Sequence, residues 1–111
     1  MERPELSISS RRTDADEVVL GLVGEIDMLT AGQLSEAVVG ALADAPSRVL
    51  LDLGGVTFCD SQGLGTLVVL SRKAASARSV LVLTNVADFL LRVLDITGLR
   101  SALMVRNEAL R

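Results

Sequence analysis

Leu50-Leu51-Asp52-Leu53-Gly54-Gly55-Val56-Thr57-Phe58-Cys59-Asp60-Ser61-Gln62-Gly63-Leu64-Gly65 reads as a buried strand, a short connection, and a helix whose first turn is built on Asp60 and Ser61. The unit from Val49 to Ala77 puts Ser61 at the carboxyl end of a central strand, where open α/β sheets place their sites. Asp-Ser before a helix most often serves only as an N-cap, satisfying free amides for about 1 kcal/mol. Sharper readings compete with that one. A phosphate cradle on Gly63 and Gly65 lacks the Gly-Lys-Ser/Thr of a P-loop, and the third glycine of a dinucleotide fingerprint would fall at Val68. A nucleophile elbow fails because no His exists to activate Ser61. A phosphoacceptor survives. The first-turn amides and the helix dipole would favour an anion by about 0.3–1 kcal/mol, with Asp60 opposing part of that gain. Such a phosphate would leave the fold intact and add about −1.5 to −2 charges to the surface, enough to reject a partner whose groove fits neutral Ser61.

Working outward, Leu6 to Ser10 alternates apolar and polar, as an edge strand does, and Val18 to Val23 forms a hairpin with it. Gly24-Glu25-Ile26-Asp27 then carries the chain out of the sheet. Thr30-Ala31-Gly32-Gln33 has the form of a capping box. Leu34, Val38, Ala41, Leu42 and Ala45 follow at helical spacing until Pro46 bars continuation. Arg48 to Leu53 is apolar enough for a strand covered on both faces. A helix from Ser61 to Ala77 aligns Leu64, Leu67, Val68, Ser71, Ala74 and Ala75. Val80 to Leu83 is a fourth strand. Ala87 to Ile96 is a third helix with Phe89, Leu90, Val93 and Leu94 inward, and Gly98 fits a left-handed cap. Leu103-Met104-Val105 makes a short last strand, and Asn107 to Arg111 begins a final helix. The alternation predicts a single α/β domain with a mixed sheet of four to five strands packed with helices.

The composition narrows function. The chain of 111 residues holds one core, and with Phe58 and Phe89 as its only aromatics that core is aliphatic. A net charge of −3, scattered basic residues and no Trp or Tyr give no footprint for nucleic acid. No apolar run approaches a membrane span, and the charged start lacks the apolar centre of a signal peptide, so a cytoplasmic location is expected. One Cys and no His exclude an intramolecular disulfide, a Cys/His zinc site and a Ser-His-Asp triad. A binding or regulatory module, not an enzyme, is expected, with no cofactor and no metal.

Cys59 reads as a small buried hydrophobe. The alternative, a redox-sensitive thiol, is opposed by Asp60, which disfavours the thiolate. Glu25 and Asp27 read as solvated turn carboxylates. Met28-Leu29 is either a hydrophobic staple ahead of Thr30 or an exposed docking patch.

At these residues the chain resembles the STAS-domain family of anti-sigma factor antagonists (anti-anti-sigma factors). Gly24-Glu25-Ile26-Asp27 with Thr30-Ala31 is similar to the family's Gly-Glu-Leu/Ile-Asp turn. Leu51-Asp52-Leu53, Val56, Phe58, Asp60-Ser61, Gly63-Leu64-Gly65 and Leu67 resemble its signature segment, and Asp95-Ile96-Thr97-Gly98-Leu99 the end of its last core helix. The resemblance implies one STAS domain over residues 1–111, its last helix short or missing, and phosphorylation at Ser61 by an anti-sigma factor that is also a serine kinase. It implies that the unmodified protein binds that kinase and frees a sigma factor, in stress-response or sporulation-type partner switching. A metal-dependent serine phosphatase would act on phospho-Ser61. ATP and magnesium would belong to the kinase. The implied partner-binding set is Asp27, Met28, Thr30, Asp60, Ser61, Gln62, Gly63 and Leu64, with homodimerisation left open. Gln62 departs from the Ser or Thr usual in the family. The alternative is a STAS scaffold or ligand-binding module with no sigma-regulator partner.

Overall fold

The computed structural model describes residues 6–107. β1 (Leu6–Arg12) and β2 (Glu17–Ile26) form the expected antiparallel hairpin, closed where Asp16 takes a positive φ of 61° and Thr13 N donates to Glu17 O at 2.9 Å. Helices and strands then alternate: α1 (Ala31–Leu42), β3 (Arg48–Cys59), α2 (Ser61–Ser76), β4 (Val80–Thr84), α3 (Asp88–Thr97), a 3-10 turn (Leu99–Ala102) and β5 (Met104–Arg106). The five strands lie in the order β1-β2-β3-β4-β5, with every pair after the hairpin parallel.

That monotonic order decides where the helices go. Each parallel crossover is right-handed and each step moves the same way across the sheet, so α1, α2 and α3 all land on one face. The core confirms it. Val18, Leu20 and Leu22 of β2, Val49, Leu51 and Leu53 of β3, and Leu81 and Leu83 of β4 pack with Leu34, Val38, Leu67, Leu70, Leu90 and Leu94 of the helices. Leu50 and Val82 point to the opposite face. They are buried yet stand outside that cluster. The three helices pack on one face, yet β3 is buried on both over Val49 to Leu51, as expected of Arg48 to Leu53.

The boundaries differ in instructive ways. β2 does not leave the sheet at Gly24, and β3 does not end at Leu53. Both continue, paired through Gly24 opposite Val56 and Ile26 opposite Cys59, with irregularities after Gly21 and Gly24 that let the glycine-rich stretches stay in register. The capping box does not form: Thr30 makes no side-chain cap bond, and Gln33 Nε2 instead donates to Leu6 O at 2.7 Å. α1 stops at Leu42, and Ala45 lies beyond it, exposed, at a φ of 53°. On α2 the inward residues include Leu70, whereas Ala75 is exposed; Phe89 of α3 faces solvent at 39% exposure. Gly98 takes the left-handed cap, at a φ of 76°. β5 begins one residue later than expected, at Met104. The expected final helix lies, apart from Asn107, outside the described residues.

Candidate functional site

Ser61 is the first residue of α2 and is exposed. Asp60 precedes it as N-cap, in extended backbone, and its Oδ1 accepts from Gly63 N at 2.8 Å. The first intrahelical bond runs from Leu64 N to Asp60 O at 2.9 Å. Helix geometry leaves the first-turn amides without carbonyl partners. Asp60 uses one of them, leaving Ser61 N and Gln62 N at the tip beside the hydroxyl. The carboxylate is thus occupied as a cap, and the anion-accepting amides lie next to the serine.

A tight joint sets this helix start against β2. Asp60 N donates to Ile26 O at 3.1 Å. A Cβ added at Gly63 would fall 2.7 Å from Ile26 O, 2.8 Å from Cys59 Sγ and 2.8 Å from Ile26 Cγ2. Only a residue without a side chain lets α2 approach so closely. Gly65, two residues on, has nothing within 4 Å of the equivalent position. The Gly-x-Gly spacing therefore records packing at its first glycine.

Because Ile26 anchors Asp60, the turn that follows it lies beside Ser61. Here Asp27, rather than Thr30, organises the chain: its Oδ1 accepts from Leu29 N at 2.9 Å and Thr30 N at 3.1 Å. Thr30 is buried, its hydroxyl donating to Glu25 O at 2.9 Å and accepting from Asp27 N at 3.0 Å. The two polar side chains are spent on shape. What the turn presents is Met28 and Leu29, 67% and 66% exposed. An exposed Leu29 excludes the hydrophobic staple.

Of the remaining expected contacts, Gln62 is exposed and borders a shallow groove of about 330 Å³ with Ser35, Gly65, Thr66 and Val69. Gly63 and Leu64 are buried; Leu64 belongs to the core. Ser35, Thr66 and Val69 were not singled out from the sequence; their signal was only that they follow the outward phase of α1 and α2. Cys59 is half-buried, with Sγ 3.8 Å from Asp60 O. Burial, reinforced by the charge of Asp60, pushes its thiol from the ordinary 9.0 up to about 12. That holds it protonated and removes the thiolate a redox sensor needs.

The surroundings carry one sign of charge. Glu25, Asp27 and Asp60 border the site, and no Lys or Arg occurs in residues 13–47 or 49–71. No trio of Cys, Asp or Glu side chains suited to a metal converges among the described residues. No helix there is long and apolar enough to cross a membrane. The arrangement offers an exposed hydroxyl at a helix tip, an apolar pair beside it and an acidic rim.

Known proteins resemble the chain over most of its length. Residues 9–106 match the family model described as "Mlab, STAS domain". The chain is 32% identical over 102 residues to the anti-sigma-B factor antagonist of Listeria monocytogenes, covering 92% of this chain and 90% of that protein. The crystal structure of an anti-sigma factor antagonist from Mycobacterium paratuberculosis superposes with a TM-score of 0.79 at 27% identity, over 91% of this chain and 85% of that one. The Bacillus cell fate determinant SpoIIAA, in its phosphorylated form, shares the fold with a TM-score of 0.67 at 20% identity, over 92% of this chain and 93% of that one.

Proposed function

The chain belongs to the STAS-domain family of anti-sigma factor antagonists, regulatory binding proteins and not enzymes, and we propose that Ser61 is its switch. Unmodified, the protein docks an anti-sigma factor with serine kinase activity through Met28, Ser61 and Gln62, with Asp27 and Thr30 holding the turn and Asp60 and Gly63 holding the helix tip. Binding draws the anti-sigma factor off its sigma factor. Transfer of a phosphoryl group from ATP to Ser61 Oγ ends the binding, and a metal-dependent serine phosphatase restores it.

One observation carries this reading: Ser61 is exposed at the tip of α2 with two amides beside it and its acidic neighbour held away as a cap. A phosphate there gains helix-dipole stabilisation of about 0.3–1 kcal/mol, so modification alters the surface without melting the fold. The negative rim compounds the change.

The test is to incubate the protein with ATP and the serine-kinase anti-sigma factor of its own genome, map phosphate by peptide mass spectrometry, and titrate binding of Ser61→Asp. Phosphate on Ser61 and loss of binding by the variant are expected. A modified site elsewhere, or a variant that binds like the unaltered protein, refutes the switch. Gln62, where a kinase would read the residue after its target, favours a second reading: a STAS scaffold that assembles with similar domains. A stable large assembly in size-exclusion chromatography, without kinase binding, would select it.

A further inference from the structure

We propose that the unpaired edge of β3 from Gly55 to Cys59 accepts an extended segment of the same protein that docks over Ser61, adding a strand beside the switch. This rests on the docking function above. β3 pairs with β2 as far as Cys59, but with β4 only from Arg48 to Asp52. β4 ends at Thr84, and Asn85, at a φ of 54°, turns the chain away while its side-chain amide donates to Asp52 Oδ1 at 3.0 Å. Among the described residues, Gly54 to Cys59 therefore has a strand on one side and none on the other. Gly54 N already donates to Asp52 Oδ1 at 3.0 Å, so the open edge runs from Gly55 to Cys59, roughly 17 Å at about 3.3 Å per residue, with no strand pairing its outward groups.

The sheet's outer edges are guarded and this one is not. β1 carries Arg11 and Arg12 among serines, and β5 is three residues long, two common ways to discourage strand addition. Gly54-Gly55-Val56-Thr57-Phe58-Cys59 holds no charge and no proline. Beside it, on the helix-free face, Val23 is 60% and Phe58 46% exposed, giving an apolar shelf for alternate side chains of an added strand.

A second copy of this chain does not fit along the whole edge. In a twofold antiparallel pairing centred between Val56 and Thr57, residue 59 of one copy lies opposite residue 54 of the other. Asp60 and Ser61, where α2 begins, would then fall beside Leu53 and Asp52, the place Thr84 already occupies. The occupant must be a segment that stays extended past that point: uncharged along the edge, with an apolar side chain over Phe58 and Val23. Because the edge runs directly into Asp60 and Ser61, such a strand leads to the hydroxyl.

Hydrogen exchange read by mass spectrometry, on the unmodified chain with and without the kinase that phosphorylates Ser61, tests this. Binding should slow the amides of residues 55–59 together with those of 27–30 and 61–66. Phe58→Asp should weaken binding by about tenfold or more, while Phe89→Asp, an exposed phenylalanine on α3, should not. Circular dichroism melting confirms that both variants fold. Protection at 27–30 and 61–66 but not at 55–59, with Phe58→Asp binding normally, overturns strand addition and leaves the switch standing. A kinase that does not bind at all overturns the switch and this proposal with it.

Discussion

Replacing Gly63 by Ala should destabilise the protein even though alanine is the better helix former. The new Cβ meets Ile26 O, Cys59 Sγ and Ile26 Cγ2, all closer than 3.0 Å. All three atoms belong to strands of the sheet, Ile26 ending β2 and Cys59 ending β3, so α2 must move outward. Overpacking of this kind costs about 1–3 kcal/mol. The alanine returns up to about 1 kcal/mol of helix propensity. Moving the first turn also lengthens the Asp60 Oδ1 bond to Gly63 N, part of a cap worth about 1 kcal/mol. The net loss is about 1–2 kcal/mol, or roughly 5–10 °C in Tm for a domain of this size. Gly65→Ala is the internal control: it is on the same helix with nothing within 4 Å, so it should stabilise by a few tenths of a kcal/mol to about 1 kcal/mol. Urea and thermal unfolding by circular dichroism measure both, since the chain has no Trp or Tyr to follow by fluorescence. A Gly63→Ala protein as stable as Gly65→Ala would show that the joint between α2 and Ile26 is not close-packed.

Thr30→Val keeps the shape but leaves Asp27 N without its acceptor and Glu25 O without its donor, and should cost about 1–3 kcal/mol in a urea titration. Ser61→Asp should leave Tm unchanged or slightly raised, because an acid in the first helical turn gains about 0.3–1 kcal/mol; a clear fall in Tm would mean the tip does not tolerate an anion. Cys59 gives a pH signature. Its folded pKa is raised, so its stabilising contribution is complete below pH 9.0 and is lost as pH climbs through the window to about 12. With no Tyr and a single Lys in the chain, few other groups titrate there. Unfolding midpoints followed across that range should fall less steeply for Cys59→Ala; equal slopes would contradict the burial of the thiol.

How much of this was legible in the sequence depended on whether the signal was local. The five strands, the three helices, the left-handed Gly98 and the placement of Ser61 all follow from periodicity and from caps a few residues long. What escaped depends on contacts between distant segments. Gly54 and Gly55 look like a turn, and β3 runs through them only because β2 supplies a matching irregular partner. Thr30 and Gln33 fit a capping box by spacing, but Glu25 O and Leu6 O are the partners that claimed them. Phe89 suits an inward face by composition, yet Leu90 and Leu94 already fill the space beneath α3. At the site, the position of Ser61 could be read directly. The reason Asp60 and Gly63 stand beside it became visible only when Ile26 was seen behind them.

The one-signed border of the site has a kinetic consequence. With no cation in residues 13–47 or 49–71, the α2 tip and the turn beside it carry negative charge alone from their own segments. A partner bearing a basic patch would be turned into register before contact, so encounter should be fast in dilute buffer and slow markedly as salt shortens the Debye length. A phosphate on Ser61 would add to that negative charge. The modified protein would then still be drawn toward a basic surface, so the proposed switch would act by shortening the lifetime of the complex rather than by preventing collisions.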